Sequence, residues 1–208
     1  MDERIARLIK LWQKRNILGF YTEDKEGAID LILEMIPQEA SIGISGSVTL
    51  DQLGIVKILE ERGNKVFNQY KAGINKEEAL ALRKKGVDAD FYLASANAIS
   101  EKGQLVFFSA YGTRIAGISY AKRLIVVCGI NKITSNLKEA IKRAREYATP
   151  LNCKRLNWNS ACVKEGRCRE RICVFPNYKR MCCQILIVEA EMEPERIKVI
   201  LVGEKLGF

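Results

Sequence analysis

Apolar positions along the chain repeat first at helical spacing and then in short extended runs. Ile5, Leu8, Ile9 and Trp12 fall on one side of a helix over residues 3–18. Ile29, Ile32, Leu33 and Ile36 do the same over 25–36, so residues 1–36 read as N-terminal helices. A short apolar run at 40–44 then meets Ser-Gly-Ser and a helical pattern through Leu50, Leu53 and Leu59. Lys65–Phe67 reads as a strand, and Lys76–Lys85 as a helix with Gly86 past its end as a stop. Phe91–Ala94, Leu105–Phe108 and Leu124–Cys128 read as strands, the last almost wholly apolar, as suits a strand covered on both faces. Ser135–Ala148 is a further helix, expected to stop before Pro150.

Alternation of strands and helices at these lengths predicts one α/β domain over residues 1–208, its sheet largely parallel and flanked by helices. Residues 40–44, 90–94 and 124–128 should be neighbouring strands. Gln184–Val188 and Lys198–Val202 flank an acidic turn with Pro194, which suggests an antiparallel hairpin within 184–208. Between helix and hairpin, residues 152–183 show little periodicity. That is too long for an ordinary connection and marks a functional loop.

Composition narrows the chemistry. Histidine is absent, which removes His bases, His metal ligands and Ser/Cys-His pairs. The longest strongly apolar stretch, Leu124–Ile130, is far short of the roughly 20 residues a membrane span needs. No apolar leader core precedes Trp12, so the expectation is a cytoplasmic, reduced protein. Residues 1–104 carry 15 Lys/Arg against 16 Asp/Glu, whereas 105–208 carry 19 against 9. The whole excess of +9 therefore sits in the second half and points to an anionic partner: a phosphorylated or carboxylate ligand, thiolates or nucleic acid.

The segment Ile42-Gly-Ile-Ser-Gly-Ser-Val-Thr-Leu has the form strand, small-residue turn, helix start. Gly43 and Gly46 allow tight turns, Ser47 or Thr49 can cap the helix, and backbone N–H groups there suit a phosphate or carboxylate. It is neither a dinucleotide fingerprint nor a Walker A loop. Further candidates follow later strands: Asn97 to orient a polar ligand, Glu101 as base or nucleophile, Arg114, and the pair Asn131 and Lys132. Each alone reads equally well as a turn or solvated residue. Together they set an amide, a carboxylate and two cations at successive strand ends, where open α/β sheets bind ligands.

These motifs, in order, resemble the lactate-utilisation (LUD) domain family in its short form. The resemblance runs through Gly46-Ser-Val-Thr-Leu, Ser95-Ala-Asn-Ala-Ile, Gly112-Thr-Arg-Ile-Ala and Val127-Cys-Gly-Ile-Asn-Lys-Ile. It continues in Thr149-Pro-Leu-Asn, Cys162-Val-Lys-Glu-Gly-Arg-Cys and the final Val199-Ile-Leu-Val-Gly-Glu-Lys-Leu-Gly-Phe. It implies an isomerase/CoA-transferase type of α/β fold, and work beside iron–sulfur subunits in bacterial growth on lactate.

Five of seven cysteines fall within 22 residues, and reduced cysteine clusters favour metal over disulfides. By resemblance Cys162, Cys168 and Cys182 occupy the family's positions. Cys173 joins them only if its loop is rearranged, because the spacing here is x5, x4, x8. The expected occupant is an iron–sulfur cluster, with zinc as the alternative, surrounded by cations such as Arg167, Arg169, Arg171 and Arg180 against only Glu165 and Glu170. The alternative to metal is free thiols whose cations cover an acidic partner. Two functions remain open: an accessory subunit of an iron–sulfur-linked 2-hydroxyacid system, and a stand-alone transferase or isomerase using Glu101. Nucleic-acid binding has the charge but no motif, and ranks last.

Overall fold

The computed structural model describes residues 2–208. In chain order the elements are α1 (Glu3–Gln13), β1 (Ile17–Thr22), α2 (Lys25–Met35), β2 (Ser41–Ile44), α3 (Val48–Leu53), α4 (Ile55–Glu61), β3 (Lys65–Phe67) and α5 (Lys76–Val87). The chain continues through β4 (Phe91–Ala94), β5 (Ala98–Ser100), β6 (Leu105–Ser109), α6 (Thr113–Tyr120), β7 (Leu124–Gly129), β8 (Ile133–Thr134) and α7 (Leu137–Arg143). It ends with α8 (Thr149–Arg155), α9 (Ala161–Lys164), β9 (Gln184–Val188) and β10 (Ile197–Val202). Six strands form an all-parallel sheet in the order β1-β10-β7-β4-β2-β3, and four form a mixed sheet ordered β8-β5-β6-β9. The three strands expected to be neighbours are β2, β4 and β7, side by side as predicted.

Alternation along these strands divides the core in two. Phe91, Leu93, Ile125, Val127, Ile200 and Val202 face α2, α3 and α4, packing on Ile32, Leu50 and Leu59. Their alternates, Tyr92, Ala94, Leu124, Val126 and Leu201, face α1 and the second sheet, meeting Trp12, Ile99, Leu105 and Phe107. This cluster joins both sheets. Trp12 is wholly buried and its Nε1 donates to the Gly103 carbonyl at 2.8 Å, tying α1 to the turn after β5. At the other end of the strands, Ser41 Oγ donates to Asp90 Oδ2 at 2.6 Å, locking the starts of β2 and β4 together.

Four expectations change. The first helix stops at Gln13, and β1 follows after Asn16, whose φ of 57° turns the chain sharply. The apolar residues of β1 carry the helical pattern on without a break, so period alone merges the two. Gly86 lies inside α5 rather than past its end, and its lack of a side chain lets the helix touch the sheet: a Cβ on Gly43 would overlap the Gly86 carbonyl. Pro150 does not stop the helix region. Residues 144–148 widen into a π turn, and α8 begins at Thr149 with the proline in its first turn, where the missing N–H breaks no helical bond. Lastly, β9 and β10 are not a hairpin: β9 pairs antiparallel with β6, while β10 inserts in parallel between β1 and β7. Burial explains the separation, since β10 is apolar on both faces and belongs mid-sheet, whereas β9 is half exposed and edges the smaller sheet.

Gly43→Ala should destabilise the fold by about 3 kcal/mol through overpacking against α5. Urea unfolding checks this. A loss near zero would mean that α5 does not rest on β2 through Gly43.

Candidate functional site

Because β2, β4, β7 and β10 run parallel, the segments leaving their carboxyl ends meet on one rim. There they enclose a cleft of about 380 Å3. The loop after β2 supplies Gly46, Ser47 and Thr49; that after β4 supplies Ser95 and Asn97; the tight turn after β7 supplies Lys132; the segment after β10 supplies Gly207 and Phe208. Arg114 enters from α6 and Asn152 from α8. The structure thus brings Gly46, Ser47, Thr49, Asn97, Arg114 and Lys132 together. No Asp or Glu lines the cleft.

Lys132 is its centre. The side chain is 4% exposed, and its Nζ donates to Thr49 Oγ1 and to Ser95 Oγ, both at 2.8 Å. Among the described residues it has no carboxylate partner. Burial pushes its pKa down to about 8, and the nearby Arg114 and Arg143 push the same way, while Cys128 acts against them. Cys128 accepts from the Ala96 N–H at 3.3 Å and lies 3.6 Å from Ser95 Oγ, closing the floor.

The other polar groups are mostly engaged within the protein. Arg114 donates to Asn97 Oδ1 at 3.0 Å, to the Phe108 carbonyl at 3.3 Å and to the Ser95 carbonyl. Asn97 Oδ1 also accepts from the Phe108 N–H at 2.9 Å, so this amide orients Arg114. Ser47 caps the six-residue α3 by accepting from the Leu50 N–H at 3.3 Å. Asn131 stands behind the wall: its Oδ1 accepts from the Leu206 N–H at 3.1 Å and holds the last residues in place. Gly43 is packed beneath the sheet against Gly86, away from the cleft.

Glu101 is not in the cleft either. It sits in the turn after β5 and pairs with Arg4 of α1 at 2.6 Å. Sequence reasoning missed Ser95 as a site residue, although it ends a recognisable strand. It also missed Arg143, whose guanidinium donates to the Asn97 carbonyl at 2.7 Å, the Phe208 carbonyl at 3.1 Å and the Asn131 carbonyl at 3.2 Å. On a helix face the latter reads as one more solvated cation, and only the fold turns it inward.

The 152–183 segment is less irregular than expected, holding the end of α8, α9 and a tight turn at Glu170–Ile172. Trp158 Nε1 donates to the Lys179 carbonyl at 2.7 Å, and Glu170 is shared by Arg145 and Arg180 at 3.0 Å each. Cys153, wholly buried on α8, neighbours Cys162, and burial pushes its thiol up to about 12. Cys168 lies near Cys162 and Cys182, and Cys182 near Cys173. Yet among the described residues no three Cys, Asp or Glu side chains gather closely enough to hold a metal ion. Cys173 opens onto an aromatic groove with Cys183, while Cys182 packs against the cluster of Val106, Phe108 and Ala140.

The LUD domain pattern matches residues 5–202. The chain belongs to the LUD domain family. The LUD chain is similar in fold to a DUF162 family protein from Deinococcus radiodurans, at 15% identity over 96% of both chains with a TM-score of 0.54. Ribose 5-phosphate isomerase A from Neisseria gonorrhoeae overlaps it over 54% of each chain, at 16% identity and a TM-score of 0.36. No curated protein matches it. Among the described residues no helix is long and apolar enough to cross a membrane.

Two outcomes follow. Lys132 carries a folded pKa of about 8 against 10.5 free, so the cost of burying its charge is full below pH 8 and fades between 8 and 10.5. Lys132→Met should therefore be more stable than wild type at pH 7, by roughly 1–3 kcal/mol, with the gain gone near pH 10.5. Urea melts at both values check the sign, and destabilisation at both would refute the buried, uncompensated ammonium. Separately, alkylation at pH 8 followed by mass spectrometry should label exposed Cys183 first and leave Cys128 and Cys153 until the chain unfolds.

Proposed function

We propose that the strand-end cleft binds the carboxylate of a small 2-hydroxy acid, lactate or a close relative, and that the protein serves lactate utilisation as LUD family membership suggests. The observation that carries this is Lys132: a buried ammonium held by two hydroxyls, beside Arg114, in a cleft lined by no Asp or Glu. A buried charge without a partner is costly, and a carboxylate ligand would remove that cost while accepting hydrogen bonds from Nζ and the hydroxyls. Separate iron–sulfur proteins would take the electrons of the oxidation, as the family resemblance implies, so the chain acts as a substrate-holding subunit.

The transferase or isomerase alternative needs a base at the cleft. Glu101 is tied to Arg4 elsewhere, and Lys132 is the one lining group that gains and loses a proton near neutral pH. Its Nζ lies 2.8 Å from Ser95 Oγ, a spacing that suits proton transfer. Both readings therefore converge on the same lysine.

Titration calorimetry with L-lactate tests the proposal. The ligand prefers the ammonium, so affinity should hold below pH 8 and fall by up to tenfold per pH unit above it. Lys132→Met should weaken binding at least tenfold at pH 7. Binding that is indifferent to this substitution, or that strengthens with rising pH, would sink the carboxylate reading.

A further inference from the structure

Across Gly46 from the cleft opens a second cavity of about 280 Å3, which shares Gly46 and Arg114 with it. Its other walls include Ser45 from the end of β2, Gln69 and Tyr70 after β3, Arg83 from α5 and Tyr92 from β4. Gln69 is spent on the fold, donating to the Ile44 carbonyl at 2.7 Å. Three other groups are unspent. Ser45 is 4% exposed and its hydroxyl has no hydrogen-bond partner; the Arg114 Nε is likewise buried and unpartnered. Arg83 makes no ion pair or hydrogen bond among the described residues. No Asp or Glu lines this cavity either. The Tyr92 phenol is buried, which raises its pKa and keeps it a neutral donor.

Buried donors left without acceptors are uncommon and ask for an explanation. Here a hydroxyl and two guanidinium groups lie around one small space, the chemistry that receives a carboxylate. Gly46 and Arg114 lie between the two spaces and line both. A Cβ at Gly46 would stand 2.5 Å from the Tyr70 hydroxyl, so a larger residue there would push this exposed tyrosine aside.

We propose that the two cavities form one elongated site and that its ligand is a 2-hydroxy dicarboxylate, with one carboxylate at Lys132 and the other at Arg83 and Arg114. This rests on the reading of the Lys132 end given above. It adds the second anionic group and makes Arg83 the residue that selects for it.

The experiment compares matched acids on the full chain by calorimetry: L-malate with 2-hydroxybutyrate, and 2-hydroxyglutarate with 2-hydroxyvalerate. One dicarboxylate should bind at least tenfold tighter than its monocarboxylate partner. Arg83→Gln should erase that preference while leaving monocarboxylate binding unchanged, and Arg83→Lys should restore part of it. Arg83 is partly exposed and unpartnered, so both variants should keep the wild-type melting profile. Equal affinity for matched pairs, or a preference that survives Arg83→Gln, overturns the dicarboxylate proposal and leaves the Lys132 reading intact. A preference lost in Arg83→Gln but indifferent to Lys132→Met overturns the Lys132 reading instead. Wild type that binds none of the four acids overturns both.

Discussion

Strands β4, β7 and β10 are covered on both faces, by α2, α3 and α4 on one side and by α1 with the second sheet on the other. Nearly every side chain along them is committed to packing, Tyr92 and Cys128 near the rim being the exceptions. In such a sheet, polar work is confined to the ends of strands. Parallel register then carries four carboxyl ends to the same rim, so residues 46–49, 95–97, 132 and 207–208 meet although nearly the whole chain separates the first from the last. The close seat of α5 on Gly43 and the Ser41–Asp90 bond serve the same end, holding β2 and β4 where their loops converge.

Most polar groups at that rim serve the protein itself. Ser47 caps α3, Asn97 and the Ser95 carbonyl orient Arg114, and Asn131 and Arg143 secure the segment after β10. What remains is cationic: the Lys132 ammonium, the Nε of Arg114 and, next door, Arg83. Such an arrangement is expensive without a ligand, because each buried charge or donor has given up water for little in return. A site that is costly when empty gains most when an anion arrives, which is the physical basis for reading this rim as an acceptor of acids. The cysteine segment contributes differently. Its thiols are near neighbours, set among the packing around α8, the Phe108 cluster and the Trp158 groove.

Much of the architecture was legible before any coordinates. The all-apolar run Leu124–Cys128 announced a strand buried on both faces, and strand–helix alternation announced a parallel sheet, because period and burial are local properties. The small-residue loop at 46–49 and the cations after later strands were legible as candidates by the same logic. The failures share a cause. β1 is hidden in the sequence because a strand directly abutting a helix leaves no break in apolar content, and nearness in sequence suggests a β9–β10 pairing that nearness in space does not provide. Pro150 and Gly86 are ambiguous locally, since each stops or serves a helix depending on its neighbours. The chain alone determined which segments are extended, which are helical and where positive charge collects. Tertiary structure alone decided that Glu101 faces Arg4 while Ser95 faces Lys132. Those outcomes depend on long-range packing, in which each side chain's direction is set by elements that the sequence keeps far away.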